Sequence, residues 1–444
     1  MSNLAILSIP GLRQKDLAHM PHLSTLCGAA YAPLTTSFPC VTWPAQAHLL
    51  TGKLADGHGV ISNGFYWRES QEVEMWTAWN DKITAPQIWD LLHERDPAIT
   101  SAVWFPMLSK GCGADYICMP APVHNPDGSE SLWCYTRPTE YYGELRDALG
   151  HFPLQNFWGP LASVASSEWI GKSAAHAAAR YRPRFWHIYL PHLDYAAQKH
   201  GPNSDQARQS LIELDGVIGE MAEAFGTTYG GDLTWLAVSE YVINEISGVF
   251  YPNRVLREAG LLKTKTVEGG ERIDFDASYA WALADHQFSH VFVKDREADT
   301  IREVVRLFRE CSACDGVADV LAGPGRGKYG LDCERAGDVI VISTPQSWQA
   351  YYYWNEDAMA PKFARTVDIH RKPGYDPVEL FIDIKTKGIP LDATLVKGSH
   401  GAPVTDDPAD DDRRGVILCS REGVLPEMGM RDVEVCALAL SLFD

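Results

Sequence analysis

The sequence predicts an α/β fold: a doubly wound, mostly parallel central sheet with a small α+β cap inserted late in the chain. Short runs of apolar residues recur along the chain, amphipathic helical patterns separate them, and the rhythm changes between about residues 277 and 337. The runs are Leu4 to Ile9, Ser101 to Phe105, Phe185 to Leu190, Leu233 to Val238 and Asp338 to Ile342. A strand covered on both faces shows no polar side, so strands of a parallel sheet read as continuous apolar runs. From Ser204 to Phe225, residues Leu211, Leu214, Ile218, Met221 and Phe225 recur every three or four positions and line one face of a helix. Strands alternating with helices of this length build a doubly wound sheet, whose chemistry lies on loops at the strands' carboxyl ends.

The different rhythm defines the cap. Phe288 to Val293 alternates like a strand, Asp299 to Cys311 reads as a helix, and Gly316 to Leu321 as a further strand before the loop Gly323-Pro324-Gly325-Arg326-Gly327. We therefore expect a core in two parts, 1–276 and 338–444, with a cap at 277–337 able to close over a substrate.

Composition narrows the partners. The 444 residues carry 58 acids against 39 bases, a formal charge of −19. A surface this negative repels nucleic acid polymers, while a small phosphorylated molecule stays compatible because bound cations reverse the local sign. No run reaches 18 apolar residues, so no membrane span is expected. The first ten residues lack a basic stretch and read as a core strand, not a signal peptide. Ten cysteines are scattered, and the one close pair, Cys311 and Cys314, has no second pair; free thiols in a reducing cytoplasm are expected.

Chemistry-bearing residues gather in several places. Ser37-Phe38-Pro39-Cys40-Val41-Thr42-Trp43-Pro44 is followed by Thr51-Gly52, then by His58-Gly59-Val60 and Asn63. The Thr42 hydroxyl is inert near neutral pH unless a metal or base makes it an alkoxide; otherwise it reads as a helix N-cap. Tyr189-Leu190-Pro191-His192-Leu193-Asp194-Tyr195 follows one apolar run, with Gln198, His200 and Gly201-Pro202 after it. Val238-Ser239-Glu240-Tyr241 ends another, and Gly337-Asp338 precedes Lys397-Gly398-Ser399-His400-Gly401. His286 and His290 lie four apart, an offset that keeps both on one face of a strand. Asp368 and His370, two apart on an extended segment, point the same way and can chelate one cation, while Arg371 and Lys372 can hold a phosphate. The alternative for these last clusters is a buried hydrogen-bond network between cap and core.

Together these segments resemble the alkaline phosphatase superfamily, in its bacterial type I phosphodiesterase/nucleotide pyrophosphatase-like branch, over nearly the whole chain. Thr42-Trp43-Pro44-Ala45 stands where relatives have Thr-Phe-Pro-Asn, which implies Thr42 as nucleophile. The resemblance implies that Asp194 and His400 bind one divalent ion and that Glu240, with Thr42, binds a second. The ions would be zinc first, with manganese or iron as alternatives. Several positions depart from the pattern. Pro10 replaces a ligand aspartate, Gln198 a ligand histidine, Tyr241 a second histidine and Ala45 the asparagine that steadies the transferred phosphoryl group. His286, His290, Asp368 and His370 are candidate replacements among the ligands; Arg371, Lys372, Tyr241 and Asn63 are candidates for substrate binding. The expected function is a metal-dependent hydrolase or transferase acting on a phosphate ester or anhydride. The altered ligands leave open a rearranged or lost metal site that runs non-hydrolytic chemistry or only binds a ligand or partner. Trp67, Trp76 and Trp79 are anchors if the cap is a protein interface, and a homodimer stays open.

Overall fold

The strand Leu4–Ile9 (β1) shows why its run is apolar throughout. Leu4 and Ile6 enter the apolar layer on one side of the sheet, while Ala5, Leu7 and Ile9 enter the layer on the other. The computed structural model describes residues 2–28, 30–124, 130–310 and 316–444. Eight further strands join β1: Tyr31–Thr35 (β2), Ser101–Trp104 (β3), Tyr116–Pro120 (β4), Cys134–Arg137 (β5), Phe185–Tyr189 (β6), Thr234–Ser239 (β7), Gly415–Cys419 (β8) and Met430–Arg431 (β9). Their order is β9-β2-β8-β7-β1-β6-β3-β4-β5. The five strands β7, β1, β6, β3 and β4 run parallel, whereas β8 and β5 run against their neighbours.

Helices cover both faces. The helix Thr42–Thr51 (α1) is buried along its whole length, and His192–His200 (α2) follows β6 directly. The long helix Asp205–Tyr229 (α3) begins at Ser204, whose side chain accepts from the Ala207 amide and caps the first turn. Its predicted stripe, Leu211 through Phe225, lies in the core layer with Leu7 and Ile188. Each such buried side chain contributes roughly 1.5–3 kcal/mol relative to exposure.

A second, four-stranded antiparallel sheet is ordered Ala280–Asp285, Phe288–Val293, Val339–Ser343, Val317–Ala322. The helix Ala298–Glu310 buries Val304 and Phe308 in the same core layer. The run from Asp338 to Ile342, expected in the central sheet, belongs to this second sheet, which therefore reaches past Gly337. The reason is burial on both sides. Val339 and Val341 face one apolar layer, while Ile340 and Ile342 face another shared with Phe38 and Trp43. An apolar run reports two covered faces and not which sheet the strand joins. Cys311 and Cys314 lie outside the described residues; the eight described cysteines are free.

Candidate active site

Three adjacent parallel strands end side by side. Ser8 of β1 stands level with Tyr189 of β6 and Val238 of β7. The segments after β6 and β7 therefore meet, although Asp194 and Glu240 lie far from residue 8 in sequence. Gly11, at φ +80°, donates its amide to the Tyr241 carbonyl at 2.8 Å, tying the end of β1 to the turn after β7. A side chain at residue 11 would be strained at this φ.

Thr42 is the first residue of α1 and is buried. Its Oγ1 lies 3.1 Å from the Tyr241 hydroxyl, which donates to Asp194 Oδ2 at 3.0 Å. A phenol carries one proton, so with that proton on Asp194 the Thr42 hydroxyl is the donor to Tyr241. Glu240 turns elsewhere: its Oε1 accepts from Ser8 Oγ at 2.6 Å and from Gln46 Nε2 at 2.8 Å. Asp194 Oδ1, Glu240 Oε2 and His400 Nε2 are buried with no hydrogen-bond partner among the described residues.

A ladder of rings backs this chain. Tyr241 stacks on His400 with centroids 3.7 Å apart, His400 lies 3.6 Å from His286, and His286 stacks on Tyr375 at 3.6 Å. Tyr375 donates to Gln198 Oε1 at 2.6 Å. His286 sits at the tip of the hairpin between Ala280–Asp285 and Phe288–Val293, at φ +57°. Such a backbone is uncommon for a residue with a side chain and marks a constrained position. His400 Nδ1 donates to the Cys40 carbonyl at 2.8 Å, which leaves Nε2 as the bare nitrogen.

Burial sets the electrostatics. It pushes the Asp194 carboxyl up to about 7, against the opposing hydrogen bond from Tyr241. Glu240 is pushed up to about 8 by burial, against bonds from Ser8 and Gln46. Burial lowers His400 to about 3, so its ring is neutral. A cavity of about 80 Å³ opens beside Thr42 and Asp194, lined by Trp76, Met107, Phe157, Trp158, Tyr189, Tyr195, His286, Ile369 and Tyr375. That space holds several water molecules, and no lysine or arginine is among its described lining residues.

Comparison with known proteins gives this geometry a context. The sequence profile of the type I phosphodiesterase/nucleotide pyrophosphatase family matches residues 4–376. The chain belongs to that family. An uncharacterized pyrophosphatase/phosphodiesterase of Schizosaccharomyces pombe is 26% identical over 230 residues, 50% of this chain and 40% of that protein. The matched segment thus spans less than half of that relative. Phosphonoacetate hydrolase from Sinorhizobium meliloti, in complex with phosphonoacetate, superposes with TM-score 0.63 at 15% identity, covering 100% of this chain and 96% of the hydrolase. Murine ectonucleotide pyrophosphatase/phosphodiesterase 5, as an inactive variant in complex with AMP, gives TM-score 0.61 at 12% identity, covering 100% and 95%. These likenesses confirm an alkaline phosphatase-like fold.

Members of this phosphodiesterase family use divalent ions. In this chain the donor chemistry does not fit the two-ion arrangement that the resemblance implies. Among the described residues, no group of three or more His, Cys, Asp or Glu side chains is placed to hold a metal. Pro10 offers no side-chain donor. The Tyr241 hydroxyl stands between Thr42 and Asp194. Ala45 packs with Cys40 and Tyr241 in one small apolar cluster, so the short side chain gives the phenol ring its room.

The other expected site residues separate. His290 donates from Nε2 to the Ile61 carbonyl at 2.9 Å and accepts the Gly337 amide at Nδ1 at 3.1 Å, so both nitrogens are occupied. Asp368 and His370 stand on a turn and not on an extended segment; Asp368 pairs with the exposed Arg371, and His370 Nδ1 bonds the Met75 carbonyl. Lys372 is buried against Asp376 and Glu379 at 2.7 and 2.6 Å, and its charge is spent there. Asn63 is also committed: Oδ1 takes the Trp43 amide and Nδ2 donates to Asp285, which fastens α1 to the second sheet. His192 pairs with Glu213, and His200 is exposed. Of the tryptophans, Trp76 lines the cavity, Trp67 stacks on Phe65 and Trp79 is half exposed. Sequence reasoning missed the parts of Gln46, Ser8 and Cys40, which no spacing rule singles out.

Proposed function

We propose that this chain hydrolyses a phosphate ester or anhydride of a small molecule, with Thr42 as the attacking nucleophile. One observation carries the reading: the Thr42 hydroxyl opens on the cavity from the first turn of α1 and donates into a buried chain ending on a carboxylate. The partial positive charge of a helix N-terminus favours an alkoxide and a phosphoryl oxygen. The cavity pairs Asp194 with no cationic side chain. A singly charged diester therefore suits it better than a doubly charged monoester. The aromatic lining suits an apolar or aromatic group on the ester. Phosphonoacetate and AMP, bound by the two fold relatives, are small phosphorus-containing molecules, as the reading requires.

Family members rely on divalent ions, but zinc, manganese or iron has no assigned step here, because the donors present do not form the expected site. Thr42→Ala should lower turnover of bis(p-nitrophenyl) phosphate by about a hundredfold or more, as removal of a nucleophile does. Wild-type turnover in that variant removes Thr42 from the mechanism. A second reading, ligand binding without turnover, draws support from Tyr241 standing where relatives carry a metal-binding imidazole. Saturable binding of AMP with no hydrolysis of any diester would favour it. No helix among the described residues is long and apolar enough to cross a membrane. A cytoplasmic location completes the proposal and cell fractionation tests it; the oligomeric state stays open, for light scattering to read.

A further inference from the structure

We infer, resting on the Thr42 reading above, that Tyr241 replaces a metal ion in activating the nucleophile by relaying the Thr42 proton to Asp194. The geometry is continuous: Thr42 Oγ1 to Tyr241 oxygen is 3.1 Å, and Tyr241 oxygen to Asp194 Oδ2 is 3.0 Å. Both are within hydrogen-bond reach, the first requirement of a proton acceptor.

The phenol is also held in place. Its ring lies flat on His400, 7° from parallel, and packs on Cys40 and Ala45. Its carbonyl accepts from the Gly11 amide at 2.8 Å and from Ser239 Oγ at 3.1 Å. Ring and backbone are thus fixed on independent sides, which holds the oxygen on line between donor and acceptor. The neighbouring carboxylate does not compete for Thr42. Gln46 takes the Met107 amide on its Oε1 and so aims its NH₂ at Glu240, keeping that acid turned to Ser8.

The step balances without a metal. As Thr42 Oγ forms a bond to phosphorus, its proton passes to the Tyr241 oxygen and the phenol proton passes to Asp194. The bond from phosphorus to the leaving oxygen breaks on the face opposite Thr42; an alcohol leaving group takes a proton from solvent, and Asp194 keeps the one it has received. Water then attacks the aryl phosphothreonine from that opposite face and gives its proton to solvent, while Asp194 returns the stored proton through Tyr241 to Thr42 Oγ as that bond breaks. One water is consumed per turnover.

The test compares four full-length proteins with bis(p-nitrophenyl) phosphate before and after exhaustive chelation, with metal content measured in each. We expect chelated wild type, holding less than about a tenth of an equivalent of zinc, manganese and iron, to retain its turnover. Tyr241→Phe keeps the ring and its stack, and Asp194→Asn keeps the hydrogen bond. Each should lower kcat about a hundredfold or more, the range of general-base catalysis, with KM changed less than about threefold. Thr42→Ala separates the two claims. If it stays active, the nucleophile assignment and the relay both fall. If it is inactive while Tyr241→Phe turns over like wild type, only the relay falls. Turnover that chelation abolishes and zinc restores overturns the relay as well. A wild type without turnover in any state overturns both.

Discussion

A carboxyl group that burial holds at about 7 ionises within the neutral range, and this decides what Asp194 does. Only its ionised form accepts a proton from the Tyr241 chain. We therefore expect kcat/KM to rise with pH through about 7 and then level off. A flat profile between about pH 5 and 9 would contradict the role of Asp194. The same burial has a cost in stability. Asp194, Glu240 and Asp285 are raised to about 7, 8 and 7 from the ordinary carboxyl values of 3.8, 4.5 and 3.8. Between those limits the folded chain holds protons that the unfolded chain gives up. Stability from these groups is thus full below about pH 4, falls as pH rises towards about 8, and stays low beyond. Glu240→Gln keeps an oxygen for Ser8 and Gln46 but cannot ionise, so the fall in Tm between about pH 5 and 8 should be shallower than in wild type. An unchanged slope in a pH series of thermal melts would show that Glu240 is already ionised in the folded state.

At the scale of elements, register is what assembles the site. Ser8, Tyr189 and Val238 stand level on three parallel strands, so the segments that follow β6 and β7 are neighbours in space. The second sheet reaches the same place through its hairpin, where Asp285 takes both the amide and the side chain of Asn63 while Asn63 holds the Trp43 amide. Asn63→Ala leaves that buried amide unpaired and should cost about 1–3 kcal/mol in denaturant unfolding, with turnover falling as α1 loosens. A loss below about 0.5 kcal/mol would mean that the joint between α1 and the hairpin is redundant.

These elements also show what the sequence discloses. The strands β1, β3, β6 and β7 and the stripe on α3 were readable because burial on two faces, or on one helical face, writes itself into residue order. Val339–Ser343 carries the same signature in a different sheet, so its partner strand was not readable. Thr42, Asp194, Tyr241 and His400 could be named from motifs, but their hydrogen-bond chain could not, because it depends on side-chain direction. Lys372 and His290 illustrate the converse. Each looked free in the sequence; Lys372 is consumed by Asp376 and Glu379 a short way along the same segment, and His290 by Ile61 and Gly337, both distant in the chain.

For the molecule as a whole, the chain keeps the phosphodiesterase family's fold, while three positions that the resemblance assigns to metal ligands carry other residues. Pro10 and Tyr241 follow the adjacent strands β1 and β7, and Gln198 lies in α2, the helix after β6, so one set of substitutions rewrites one site. Restoring the family's residues with Pro10→Asp, Gln198→His and Tyr241→His should make the purified protein take up at least about one equivalent of zinc. Metal content indistinguishable from wild type would place the obstacle elsewhere in the fold. The central claim is that Thr42 attacks phosphorus. Rapid quenching of the chelated protein during turnover of an aryl phosphodiester, followed by peptide mass spectrometry, tests it most directly. We predict an aryl phosphoryl adduct on Thr42 that forms and decays with turnover. Continued turnover with Thr42 unmodified at every quench time would contradict the account.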